Sequence, residues 1–244
     1  MLSLLTVNLD LVAALRELGQ LMEPDPAQAA VLAELAGADG ISIRYGRDRK
    51  YVRPRDLYLL KGVVKTKLTI ELPPTEEHIR QALEVKPWGV TFVTDQADSG
   101  NPVVPIELDT ASVDFSDITA RFTAVGVNVC FFVDPDEDQI KIAAKVGASA
   151  VFISCAGYTE ARTIEEAQSE LDRIDRAVQA ASKANLSTHC GRGINYKNIQ
   201  PLAELGYIDE FVVGRSICAR AMLVGFERAV KEMLTLTQVP QRNV

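Results

Sequence analysis

Asn8, Asp10 and Glu71 each stand where an apolar run ends, and a dense set of arginines closes or follows other such runs. A carboxylate in that place can take or give a proton, and burying it is costly unless it is used or paired. By period-two alternation Asn8 and Asp10 share one face, so an amide and an acid look the same way. The second apolar run leads into Ile43-Arg44-Tyr45-Gly46-Arg47-Asp48-Arg49-Lys50, a basic loop. Guanidinium groups stay charged and present a fork of donors suited to carboxylates and phosphates. Late in the chain come two glycine-flanked turns, His189-Cys190-Gly191-Arg192-Gly193 and Val213-Gly214-Arg215-Ser216. Such turns offer backbone N–H groups, and the positive end of a following helix, to an anion. These residues point to a phosphorylated, anionic small molecule. Glu71, Asp10 and His189 are the candidate catalytic groups. Asn8, Arg44, Arg47, Arg49, Gly191, Arg192, Gly193, Gly214 and Arg215 are the candidate ligand-binding ones.

Plainer roles compete with these. Arg47, Arg49 and Lys50 could form a solvated loop face, Asp10 could cap a helix, and His189 could be a satisfied structural histidine. His78 falls on a helix and is expected at the surface. Cys155 and Cys190 are expected to pack rather than react, and Tyr158 to cover the loop after the sixth strand. The four cysteines include no C-x-x-C pair, so buried free thiols are expected. Two separated histidines give no metal-ligand spacing, and no metal or other cofactor is expected.

The elements that must position these groups show as short apolar runs alternating with longer amphipathic ones. Strands are expected over Leu4–Asp10, Gly40–Ile43, Lys67–Glu71, Gly89–Val93, Val127–Val133, Ala150–Ser154, Leu186–Cys190 and Glu210–Val213. Several are near-continuous apolar stretches, as strands buried on both faces of a parallel sheet are. Helices are expected over Pro26–Ala36, from Thr75 onward, and over Asp136–Val146, Glu165–Ala184 and Ser216–Leu234, with a polar tail, 235–244, that frays. Eight strand–helix units in 244 residues fit a single α/β domain, a TIM-type (β/α)8 barrel of ordinary size. A doubly wound open sheet also alternates strand and helix, but no G-x-G-x-x-G turn follows the first strand. In a barrel the working face is the C-terminal end of the strands, where the candidate residues fall. The net charge of −7 argues against a nucleic-acid partner and leaves room for a local arginine cluster. No apolar run approaches the roughly 18 residues of a membrane span, and the start of the chain reads as a strand rather than a leader. A soluble, cytoplasmic protein is expected.

The chain also resembles a known family. Asn8-Leu9-Asp10, Pro24-Asp25-Pro26-Ala27-Gln28-Ala29-Ala30, Ala36-Gly37-Ala38-Asp39-Gly40-Ile41, Asp48-Arg49, Glu71 and Lys86-Pro87 are similar in order and spacing to the pyridoxine 5′-phosphate synthases. Asp134 with Asp136-Glu137 and Gln139-Ile140-Lys141, then Tyr158, Gly191, Gly193 and Gly214, extend the resemblance over nearly the whole chain. It implies a barrel with additional helices and a homo-oligomer built from dimers, up to an octamer. It also implies the condensation of 1-deoxy-D-xylulose 5-phosphate with 3-amino-2-oxopropyl phosphate, without a metal or redox cofactor. In that family histidines and one glutamate carry the proton transfers.

Asn8, Asp10, Glu71, Gly193 and Gly214 match the functional positions the resemblance implies. The chain departs where Leu11, Arg44, Tyr51, Arg192 and Arg215 stand at histidine positions, Gly19 at an arginine position, and Phe152 and Ser154 at a glutamate and a histidine position. An arginine holds anions but cannot shuttle protons near neutral pH. General acid–base help is worth about two to four powers of ten per group, so the parent reaction should suffer. The residues fit a diverged enzyme acting on a phosphorylated metabolite by condensation or isomerisation next to a carbonyl. A synthase with a rearranged site, His189 standing in for lost histidines, and a non-catalytic phosphometabolite-binding protein are the alternatives.

Overall fold

The computed structural model describes residues 2–18, 22–47, 51–95, 103–109 and 113–238. Among them, eight parallel strands close a barrel: β1 (Leu4–Asn8), β2 (Gly40–Arg44), β3 (Lys67–Leu72), β4 (Gly89–Phe92), β7 (Asn128–Val133), β8 (Ala150–Ser154), β9 (Ser187–Gly191) and β10 (Glu210–Val213). Around the barrel the order is β1-β10-β9-β8-β7-β4-β3-β2, so β1 closes the sheet by pairing with both β2 and β10. Closure excludes the doubly wound alternative. A short antiparallel hairpin, β5 (Thr94–Asp95) with β6 (Val103–Val104), stands outside the barrel after β4.

Helices α1 (Asp10–Leu18), α2 (Pro26–Leu35), α3 (Pro54–Val63), α4 (Glu76–Val85), α5 (Phe115–Thr123) and α6 (Glu137–Lys145) belong to the first half. Helices α7 (Ala156–Glu160), α8 (Ile164–Lys183), α9 (Ile199–Ala203), α10 (Arg215–Val224) and α11 (Phe226–Thr237) complete the second. Strand alternation splits the core in two. Ile41, Ile43, Leu68, Ile70, Val90, Phe131 and Phe211 belong to the large cluster that joins strands to helices. Cys130, Phe132, Ala150 and Phe152, of the opposite parity, form a separate cluster within the barrel, where the Phe132 and Phe152 rings lie 4.8 Å apart. The parity that carries Arg44, Glu71 and His189 therefore faces inward.

Several expectations shift. β1 ends at Asn8, not Asp10, because the Asp10 backbone N–H turns back onto Asn8 Oδ1 at 3.0 Å and Asp10 opens α1. An acid is favourable there, at the positive end of the helix. His78 is buried, only 3% exposed, because it lies on the inward stripe of α4 with Ile79, Ala82 and Val85. Its ring meets Tyr45 at 5.1 Å, and Thr75 Oγ1 lies 2.7 Å from Nδ1. The expected helix from Ser216 to Leu234 is two helices, broken at Gly225, whose φ of +89° interrupts the turn. The second of them runs on to Thr237, which is buried and donates from Oγ1 to Leu234 O, so 235–237 are helix; residues 239–244 of the expected tail lie outside the described residues.

Candidate active site at the barrel mouth

Four chain segments meet at the C-terminal ends of β1, β2 and β3 and the start of α1. Register places Arg44 beside Glu71 on adjacent strands. Asn8 Nδ2 donates to Glu71 Oε1 at 3.1 Å, while Asn8 Oδ1 accepts from Asp10 N. The Arg44 backbone N–H donates to Asp10 Oδ1 at 2.6 Å. One amide and one peptide group thus fix two carboxylates at the same mouth, and Glu71 senses the charge of Asp10.

Burial dominates their acidity. It pushes the Glu71 carboxyl up to about 7, with the charge of Asp10 adding to the rise and Arg192, the Asn8 amide and Arg44 opposing it. Asp10 is also raised, by burial first, against the Arg44 amide and guanidinium, Asn8 and Arg192. A carboxyl near 7 is poised to exchange a proton at working pH.

Arg192 brings charge from the opposite side of the mouth. It sits in the left-handed region at φ +77°, and its guanidinium lies 5.9 Å from the Phe132 ring centre while Nη2 donates to Val103 O at 3.0 Å. Burial pulls its pKa below the usual guanidinium range; Glu71 pulls it up, Arg215 repels it, and Glu160 and Asp10 favour its charge. The guanidiniums of Arg44 and Arg192 therefore act on one carboxylate pair. Neither can serve as a base near neutral pH.

The glycine turns pack against this centre. Gly214 passes so near Asn8 that a Cβ there would sit 2.9 Å from Asn8 O and 3.0 Å from its Oδ1, so a side chain at 214 would displace the amide that holds Glu71. Gly193 has a φ of +72° and its missing Cβ would run into Thr159 on α7. Gly191 approaches the Phe152 ring closely as well. Arg215 is the first residue of α10, exposed, and near enough to Arg192 to repel it. Tyr158 OH donates to Asn198 O at 2.9 Å and ties the segment after β8 to the one after β9.

The remaining candidates lie apart from this group or outside view. Arg47 is exposed beyond the end of β2, and Arg49, with Asp48 and Lys50, lies outside the described residues. His189 points into the barrel, but its ring addresses other partners. Nδ1 lies 4.0 Å from Glu210 Oε1, and Ser187 Oγ lies 3.4 Å from Nε2. Ser187 and Glu210 each open their strand, so this contact is on the N-terminal side of the mouth. Lys67 reaches the same glutamate at 3.6 Å. All four cysteines are free and buried, and burial raises Cys130 and Cys218 away from thiolate. Among the described residues no group of three or more His, Cys, Asp or Glu could hold a metal ion, and no helix is long and apolar enough to cross a membrane.

Phe132 and the carbonyl of Val103, which seat Arg192, were not among the residues the sequence singled out. Phe132 did carry a signal, as the inward-parity aromatic of its strand; nothing local marks a backbone oxygen on the hairpin.

The chain is similar to known proteins over nearly its whole length. Residues 5–239 match the family described as "Pyridoxal phosphate biosynthesis protein PdxJ". A pyridoxine 5′-phosphate synthase from Pelobacter propionicus is 43% identical over 232 residues, covering 95% of this chain and 97% of that protein. One from Geobacter metallireducens is 41% identical over the same length, again covering 95% and 97%. A solved 4-hydroxy-2-oxoglutarate aldolase/2-deydro-3-deoxyphosphogluconate aldolase superposes with a TM-score of 0.58 at 15% identity, over 96% of this chain and 94% of that one, a likeness of fold alone.

Proposed function

The chain belongs to the PdxJ family, and on that premise we propose that it is an enzyme acting on a phosphorylated small metabolite with chemistry altered from that of its named relatives. Glu71 is the base that removes a proton from carbon next to a carbonyl, and Asp10 is the second carboxylate of the pair. Arg44, Arg192 and Arg215 hold negative charge on the ligand, and its phosphate lies against the turns at Gly191–Gly193 and Gly214–Ser216, where α10 begins. The observation that carries this reading is Glu71, buried and raised to about 7, between Asp10 and two guanidinium groups. Such a site assigns proton transfer to the acids and charge stabilisation to the arginines. Condensation or isomerisation next to a carbonyl is the reaction class that follows. Membership of the family also supports a homo-oligomer built on dimers, to be read by light scattering in solution.

A second reading is the synthase reaction itself on a rearranged site, with His189 taking part. The identity of 43% to a protein of that name favours it. Complementation separates the two. A strain lacking its own pyridoxine 5′-phosphate synthase, carrying this gene and making folded protein, is expected not to grow without vitamin B6. Growth would establish the second reading and remove the altered chemistry. A ligand bound without any turnover that depends on Glu71 would reduce both readings to binding alone.

A further inference from the structure

Arg16, on α1, is only 1% exposed, and its partner Asp56, on α3, is 2% exposed. The pair is bidentate: Nη1 donates to Oδ1 at 2.9 Å and Nη2 to Oδ2 at 2.7 Å. Buried ion pairs seldom stabilise a fold more than apolar residues of the same size would, so one that is kept invites another explanation. Its further bonds supply it. Arg16 Nη2 also donates to Tyr51 O at 2.9 Å, and Asp56 Oδ2 accepts from Arg53 N at 2.8 Å. Glu17, the next residue on α1, pairs with the Arg53 guanidinium at 2.8 Å. All of these hold the exit of the connection that leaves β2 at Arg44. Its entrance is held by the same helix, through Asp10 Oδ1 and the Arg44 N–H. Asp10 and Arg16 are six residues apart on α1, about 9 Å along a stiff helix.

We propose that α1 is a brace that fixes the two ends of the β2–α3 connection, Arg44 at its start and Tyr51–Asp56 at its exit, and that Arg16 is a positioning residue for Arg44. The proposal rests on the reading that Arg44 clamps an anion. The brace also explains why one helix carries both a carboxylate of the site and the anchor of the connection. Asp10 fixes where Arg44 begins, and Arg16 with Glu17 fixes where the connection ends.

Amide hydrogen exchange on the full chain tests it, read at Tyr51–Asp56 and at the barrel strands, beside titration with inorganic phosphate. In Arg16→Lys the charge stays, but an ammonium cannot bridge both Asp56 oxygens and Tyr51 O together. Exchange at Tyr51–Asp56 is expected to rise about fivefold or more with the strands unchanged, and the phosphate Kd to rise about threefold. Unchanged exchange there overturns the brace. Equal acceleration in every strand overturns it too, since that marks a purely structural pair. Faster local exchange with unaltered phosphate affinity overturns the positioning role. If Arg16→Lys does not fold, Glu17→Gln replaces it, removing the charge that Arg53 and Arg16 Nε share on the surface side while leaving the Arg16–Asp56 pair intact; no local rise in that variant overturns the proposal. Should the wild type bind no phosphate, the anion-site reading falls, while the exchange result still decides the brace.

Discussion

Replacing Glu71 by glutamine changes the charge of the site and little else. The substituted amide keeps the length of the side chain and an oxygen for Asn8 Nδ2, which now donates to Glu71 Oε1 at 3.1 Å. The carboxyl is raised from 4.5 to about 7, so the folded protein binds its proton more tightly than the unfolded chain does. Stability from that protonated form is fully present below about 4.5 and is lost as the pH rises through 7. At about 1.4 kcal/mol per pKa unit, ionising Glu71 in the folded state costs about 3 kcal/mol as an upper limit. Glu71→Gln is therefore expected to match the wild type near pH 4.5 and to exceed it by up to about 3 kcal/mol at pH 8. For a domain of this size that is a rise in Tm of roughly 6–12 °C. Turnover should fall by about two to four powers of ten in the same variant. Urea or thermal melts at pH 5 and pH 8, with activity at both, check this. A gain of equal size at the two pH values, or a loss of stability at pH 8, would refute the burial of an ionisable Glu71 beside Asp10.

Arg192→Met removes a charge that lowers the pKa of both acids, so the acidic limb of the pH–rate profile, where Glu71 must lose its proton to act as base, should move to higher pH and the alkaline Tm should drop. Gly214→Ala pushes on Asn8 and through it on Glu71; we expect a loss of about 1–3 kcal/mol in urea melts together with reduced turnover. Asp56→Asn removes the buried, bidentate counter-charge of Arg16 and leaves it only the more exposed Glu17; it should lower stability by up to about 3–5 kcal/mol, measured by denaturant titration.

The architecture was legible because its signal is local. Ala150–Ile153 and Phe211–Val213 are continuous apolar runs, and β8 and β10 contain them. α1 was hidden because apolar residues continue past Asn8, and only a side-chain contact from Asn8 to the Asp10 amide turns the chain into a helix. The inward stripe of α4 was present in the sequence as positions 78, 79, 82 and 85, but one of them is a histidine, whose polarity argued for the surface. At the candidate site, residue type and position after a strand singled out Asn8, Asp10, Arg44, Glu71 and Arg192, which the structure brings together. The direction of a long side chain was not. Arg192 crosses to Phe132 and Val103, 60 and 89 residues earlier, and Arg16 meets Asp56 40 residues later; no periodicity encodes such pairs.

Native mass spectrometry of freshly purified wild type and Arg192→Met tests most directly whether these acids and guanidiniums form one anion-holding cavity. The wild type is expected to carry an additional mass matching a phosphorylated small molecule, and the variant, folded, to carry much less of it. A ligand at 100 times its Kd should also raise stability by about 2.7 kcal/mol. Wild type that flies only as the bare chain, with no thermal shift against phosphorylated metabolites, would contradict it.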